Sequence, residues 1–289
     1  MSLGYQALRG GAAWLDLSTR GRIVARGRDR ARLLHAITTN EVKKMTAGTG
    51  CYAFLLNPQG RIQADLCLIC LDDHFLIDTE PELREKVRLL IKRYIIADQV
   101  ELEDVTARTA AIGLEGPGAA AILAALGAPS PEAPYTHAAW GDAMVAAVTV
   151  TGQPGARIFC PAEKAAGLVH QLEAAGAVAA SAEDARLVRI ENGKPRYGED
   201  IRETSLPQET QQMHAVSFNK GCYLGQEIVE RIRAQGRVNR KLMRVVLEGG
   251  EVPAAGTKTT VDGAEAEVTS AVLSPASGEV VALAYVRQR

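Results

Sequence analysis

Cys222 lies two residues after Lys220 and just ahead of a run with helical spacing that carries Ile228, Val229 and Ile232. A helix N-terminus and a nearby ammonium both favour thiolate, so this placement predicts a reactive sulfur. The competing reading is a small residue tucked at a helix start. Cys67 and Cys70 form a C-x-x-C inside the alternating run Asp65-Leu66-Cys67-Leu68-Ile69-Cys70-Leu71. Strand positions three apart face opposite sides, so the two thiols diverge and read as core cysteines. No second C-x-x-C completes a zinc or iron–sulfur site. His35, His74, His137, His170 and His214 are scattered, and neither a P-loop nor G-x-G-x-x-G occurs, so a metal site, a Ser/His triad and a nucleotide cradle all lack support. Arg231, Arg233, Arg237, Arg240, Lys241 and Arg244 form a basic stretch with no acid between Arg231 and Leu247. It reads as a solvated face or as a site for an anion, since the planar guanidinium pairs carboxylates bidentately. Glu191 ends a helical run just before Asn192-Gly193, where the helix dipole opposes a carboxylate, which marks it for another role.

The elements that must position these groups are punctuated clearly. Arg22–Arg26 predicts a strand and Asp29–Thr38 a helix with Leu33, Leu34 and Ile37 on one side. Cys51–Leu56, the turn Asn57-Pro58-Gln59-Gly60, Arg61–Leu71 and Phe75–Asp78 predict a β-meander. Thr79-Glu80-Pro81-Glu82 looks like a capped helix start, with Val87, Leu90, Ile91 and Tyr94 on the packed face. Ala110–Leu114, Met144–Val150 and Arg157–Cys160 read as strands, the Ala-rich run after Gly116-Pro117 and Glu163–Ala175 as helices, and Ala128–Ala138, with three prolines, as loop. Ser181–Asp184 is a capping signature for a helix that stops at Gly193. Between Lys194 and Asn219 the periodicity is lost, and long structureless stretches inside a domain are often functional. After Gly236 short strand runs with Gly/Pro turns suggest a small β-barrel or sandwich. Helices and hairpins mixed in this way favour an α+β fold, divided into residues 1–235 and a C-terminal unit, 236–289.

The 289 residues allow about two domains, and the formal charge of -1 argues against a chain built to coat nucleic acid or membrane. No run reaches the roughly 18 apolar residues of a membrane helix. Five cysteines in a chain this long make no disulfide scaffold, and no signal pattern opens it, so the cytoplasm is expected.

The run Lys220-Gly221-Cys222-Tyr223-Leu224-Gly225-Gln226-Glu227 resembles the K-G-C-Y-x-G-Q-E signature of the YgfZ family, folate-binding proteins related to the glycine-cleavage T-protein whose mitochondrial relatives act in iron–sulfur cluster assembly. Further blocks agree in order: Asp16-Leu17-Ser18 through Thr39-Asn40-Glu41-Val42, Leu56–Ile62, Ile112–Leu123, and Arg189-Ile190-Glu191-Asn192-Gly193 with Pro195 and Gly198-Glu199-Asp200. Leu206-Pro207-Gln208-Glu209 precedes the signature.

The resemblance implies a T-protein-like ring of three subdomains around a central channel for tetrahydrofolate or a one-carbon derivative, with a small C-terminal β-barrel. It implies catalytic roles for Cys222, Asp65 and Lys220 and no metal ligands. It implies folate contacts by Glu191, Asn57, Asp78, Tyr223 and Gln226, with Glu191 accepting the two adjacent N–H groups of the pterin. The basic stretch, on its charge and not on the resemblance, adds Arg231 as the expected contact of the glutamate tail. The function so implied is a folate-binding accessory to iron–sulfur enzymes with Cys222 as the functional thiol and iron–sulfur client or assembly proteins as partners. The alternatives are a tetrahydrofolate-dependent aminomethyltransferase or related one-carbon transferase, and a scaffold without catalysis. Two departures from the T-protein pattern bear on turnover. Its paired acids after the turn are Ala64-Asp65 here, and its G-Y-T-G-E run is matched only by Val150-Thr151-Gly152-Gln153. A carboxylate lost near the folate nitrogens would weaken positioning and proton handling.

Overall fold

The computed structural model describes residues 1–288. Three sheets and seven α-helices make an α+β fold among them. The meander forms as the turn residues require. Gly50–Leu56, Ile62–Cys70 and His74–Thr79 pair antiparallel, and Gly21–Arg26 and Glu101–Asp104 complete a five-stranded sheet. A six-stranded sheet runs in the order Val178–Ala179, Ala13–Asp16, Thr109–Glu115, Gly155–Pro161, Ala143–Ala146, His137–Trp140.

Val24, Ile69 and Leu76 of the first sheet meet Ala111, Ala146 and Phe159 of the second in one buried cluster. Helices cover the outer faces. Leu33, Leu34 and Ile37 of Arg30–Ile37 and Val87 and Ile91 of Arg84–Arg93 pack on the first sheet, and Ile122, Leu123, Leu168 and Leu172 on the second. Polar staples cross between the sheets as well. Arg22, fully buried, donates through Nε to Thr109 Oγ1 at 2.7 Å, and through its terminal nitrogens to the carbonyls of Arg20, Ser18, Thr106 and Thr109 at 2.7–3.0 Å. Burial lowers its pKa, the Asp78 carboxylate opposes that, and the neighbouring guanidinium groups of Arg20 and Arg157 add to it.

Arg240–Leu247, Val280–Arg287, Ala264–Leu273 and Lys258–Val261 form a separate antiparallel sheet in that spatial order. It was expected as a barrel, but among the described residues no pairing closes its two edges. Asp200, fully buried, joins it to the rest. Its Oδ1 accepts from Thr269 and Ser270 of that sheet, and its Oδ2 from Arg189 and the Arg196 N–H. This accounts for the G-x-D part of the block around Glu191.

Two helix starts differ in outcome. Ser181 and Asp184 form the expected capping box of Ala182–Glu191. Thr79 caps nothing, because it pairs in the sheet and its hydroxyl donates to the Asp65 carbonyl, so the chain passes through a single 3-10 turn, Pro81–Leu83, before Arg84–Arg93. The stretch 194–219 contains two short 3-10 turns, Pro207–Thr210 and Met213–Ala215, and an isolated bridge between Tyr197 and Ile201. No helix among the described residues is long and apolar enough to cross a membrane.

Candidate active site

A cavity of about 1080 Å³ opens beside the cluster between the two sheets. Its front wall is the strand Ile62–Cys70. Alternation turns Asp65 and Cys67 toward the cavity and Ala64, Leu68 and Cys70 into the outer core. The C-x-x-C thiols diverge as their spacing requires, Cys67 lying between the sheets and Cys70 behind them. Ala64 is fully buried in hydrocarbon. A carboxylate at that position would therefore face the core, and its absence takes nothing from the cavity. The weakening inferred from Ala64 does not hold for this geometry.

Asp65 is 9% exposed. Its Oδ2 accepts from Tyr52 Oη at 2.8 Å, and its Oδ1, also buried, has no protein partner. Burial pushes the carboxyl up to about 7, the Glu80 carboxylate adds to the rise, and the Tyr52 hydroxyl and Arg20 oppose it. An acid that is half-ionised near neutrality and lines a cavity can accept or return a proton there.

Asp78, also on the cavity, is fully ion-paired. Arg20 binds it through Nε and a terminal nitrogen, and Arg157 binds it from the six-stranded sheet. Burial would raise this carboxyl, but Arg157 and Arg20 overcome that and hold it below the ordinary range. Two neighbouring carboxylates thus have separated roles, one a proton carrier and one a fixed charge.

Three rings make another wall. His214 stacks on Tyr52 with centroids 5.4 Å apart and on Tyr135 at 6.2 Å. Tyr135 has φ +65°, a costly conformation for a tyrosine and a feature that concentrates at functional sites. None of these three was singled out from the sequence. Tyr52 alternates into the site on a strand, but Tyr135 and His214 lie in stretches without periodicity, where no local pattern signals them.

The remaining expected site residues do not line this cavity. Glu191 was expected to clasp the pterin. Its Oε1 instead accepts from Tyr5 and Ser274, while Oε2, buried and without a hydrogen-bond partner, has only the Arg9 guanidinium 3.8 Å away. Asn57 Oδ1 accepts the Arg61 N–H and closes the turn. Arg231 is exposed on the helix Gln226–Gln235. Within the rest of the basic stretch Arg240 pairs with Glu209, Arg233 with Glu230, and Arg244 donates to the Glu191 carbonyl.

The signature run acts as a clamp. Lys220 Nζ donates to the carbonyls of His35, Thr38 and Asn40 at the end of Arg30–Ile37, and lies 4.9 Å from the Tyr223 ring centroid. Burial lowers its amine to about 8. Gln226 Oε1 accepts the Tyr223 N–H, and Tyr223 is buried. Gly225, at φ +81°, packs so closely on the turn that a Cβ there would sit 2.6 Å from the Asn57 oxygen. Gly225→Ala is expected to cost about 1–3 kcal/mol of stability, read as a lower denaturant midpoint; an unchanged midpoint would show that the clamp is slack. Cys222 is exposed, four residues before the helix begins at Gln226, and the Lys220 ammonium is committed to carbonyls. The two influences expected to activate its sulfur are therefore directed elsewhere.

Residues 4–220 match the GCVT N-terminal domain family. The aminomethyltransferase of Rubrobacter xylanophilus is 31% identical over 98% of this chain and 78% of its own length. That of Geobacillus kaustophilus is 30% identical over 98% and 81%. The crystal structure of the glycine cleavage system aminomethyltransferase T from Bartonella henselae has the same fold, with a TM-score of 0.88 at 21% identity over 98% of this chain and 80% of that one.

Proposed function

The chain belongs to the GCVT N-terminal domain family, and from that premise we propose that its cavity binds a tetrahydrofolate and supports aminomethyl-type one-carbon transfer, with Asp65 as the proton carrier. The observation that carries this reading is Asp65, which lines a cavity of about 1080 Å³ and has one buried oxygen, Oδ1, without a protein partner. A carboxyl oxygen left without a donor is costly, and a pterin N–H would satisfy it. The aromatic wall of Tyr52, His214 and Tyr135 suits a flat heterocycle. The cavity is at the upper end of the pocket sizes that hold drug-sized ligands, about 300–1,000 Å³, which leaves room for a folate. When bound, a tetrahydrofolate supplies ring and side-chain nitrogens that accept a one-carbon unit. The protein orients it against the three rings, excludes water behind them, and holds or moves a proton at Asp65. Named relatives carrying the aminomethyltransferase activity at 31% and 30% identity support the same reading.

Calorimetry with tetrahydrofolate is expected to show saturable binding. Ammonia release from an aminomethyl-lipoyl carrier is expected to depend on the added folate. No heat at millimolar ligand would remove the binding claim; binding without ammonia release would remove the transfer claim.

A second reading is a YgfZ-type accessory role toward iron–sulfur enzymes with Cys222 as its thiol. It is favoured by one observation: of the five cysteines only Cys222 is exposed. Cells lacking the protein would then lose iron–sulfur enzyme activity, and Cys222→Ala would fail to restore it. Full restoration by that variant would exclude the thiol.

A further inference from the structure

Most charges on the cavity wall are already matched. Arg20 pairs with Asp78 and Glu80, and Arg157 with Asp78. Arg186 and Arg189 share Glu199, and Arg196 pairs with Glu80 and Glu82. Lys194 is the exception: among the described residues no carboxylate lies within ion-pairing distance of this cavity-lining cation. Its ammonium donates to the Thr149 carbonyl and stands 3.5 Å from Thr149 Oγ1, neither of which carries charge. The acid whose field acts on it, Glu115, is engaged by the N–H groups of Val150 and Thr151 and the Thr151 hydroxyl. Arg20, Arg157, Cys67 and His214 are the other titratable groups that bear on it. Burial lowers the amine to about 8.

The lysine is also held in place. Gly193, at φ +69°, closes the helix Ala182–Glu191 with its N–H on the Ile190 carbonyl, and the Lys194 N–H bonds the Arg189 carbonyl at 2.8 Å. This Schellman cap fixes the backbone from which the side chain enters the cavity. A desolvated cation without a counter-ion is unfavourable in the free protein and becomes favourable when a ligand brings the anion.

We propose that Lys194 is the receptor for a ligand carboxylate inside this cavity. The proposal rests on the folate reading for the identity of the ring beside it, but not for the charge. Two sources share the chemistry: the glutamate tail of the folate itself, or the carboxylate of a small amino acid bound next to it.

Calorimetry on the full chain with three probes tests this. p-Aminobenzoylglutamate represents the tail, glycine the small amino acid, and 6-methyltetrahydropterin the ring without a carboxylate. At least one carboxylate probe is expected to bind, with affinity reduced tenfold or more in Lys194→Met and largely kept in Lys194→Arg. The ring probe should bind the wild-type chain and Lys194→Met alike, which also reports that the variant is folded. In the unaltered chain, the carboxylate probe that binds should protect Lys194 from reductive methylation. Equal affinity of that probe for wild type and Lys194→Met, absence of protection, or no carboxylate binding at all would each overturn the proposal. Failure of the ring probe alone would count against the folate reading and leave the charge receptor standing.

Discussion

Asp65→Asn is expected to lower one-carbon transfer by about 10²–10⁴-fold, the range for removal of a positioned acid–base. Folate affinity should change little, because the amide oxygen still accepts the hydrogen bond. The same variant makes a second, opposite prediction. In the folded chain Asp65 titrates at about 7, above the roughly 3.9 of an unfolded aspartate. Between those values the folded state holds a proton that the unfolded state has released, so this group makes stability fall as pH rises through the interval. Asparagine removes that loss. The stability advantage of Asp65→Asn should grow from about pH 4 to 7 and level off above. Urea midpoints across pH check it. A variant that loses activity with a flat difference would show that Asp65 is not the group held protonated.

Asp78→Asn should have the largest effect on folding. Asp78 and Arg157 are both nearly or fully buried and bridge the two sheets. Removing one partner leaves an uncompensated buried guanidinium, at a cost of about 3–5 kcal/mol. The double variant Asp78→Leu with Arg157→Leu should cost less than the sum of the single changes, because neither charge is then stranded. The carboxyl is held below its ordinary range, so its contribution is present above the unfolded value and is lost as pH falls through the folded one. Additive single costs would show that the two residues do not act as a pair.

Much of this architecture was legible in the chain because local rules decide it. The meander follows from Asn57-Pro58-Gln59-Gly60 and the alternation after it, and the capping box from Ser181 and Asp184. The divergence of Cys67 and Cys70 needs only the strand period. The site was less legible because long-range packing decides it. Asp65 and Asp78 were anticipated and do face the cavity. Glu191 was anticipated on the helix dipole, but Tyr5, Ser274 and Arg9 reach it from both ends of the chain. The signature at Lys220 to Glu227 looked chemical, yet its lysine, glycine and glutamine all secure backbone. Tyr135, His214 and Lys194 belong to aperiodic stretches, so only the folded chain brings them to one wall.

Arg22 has a consequence for the spacing of the two sheets. By bonding carbonyls on both sides of the gap it acts as a fixed-length strut, and with the Asp78–Arg157 bridge it sets how far apart the two walls stand before anything enters. Widening the space between these walls would break buried polar bonds, so their separation is set by the protein's own contacts rather than by whatever occupies it.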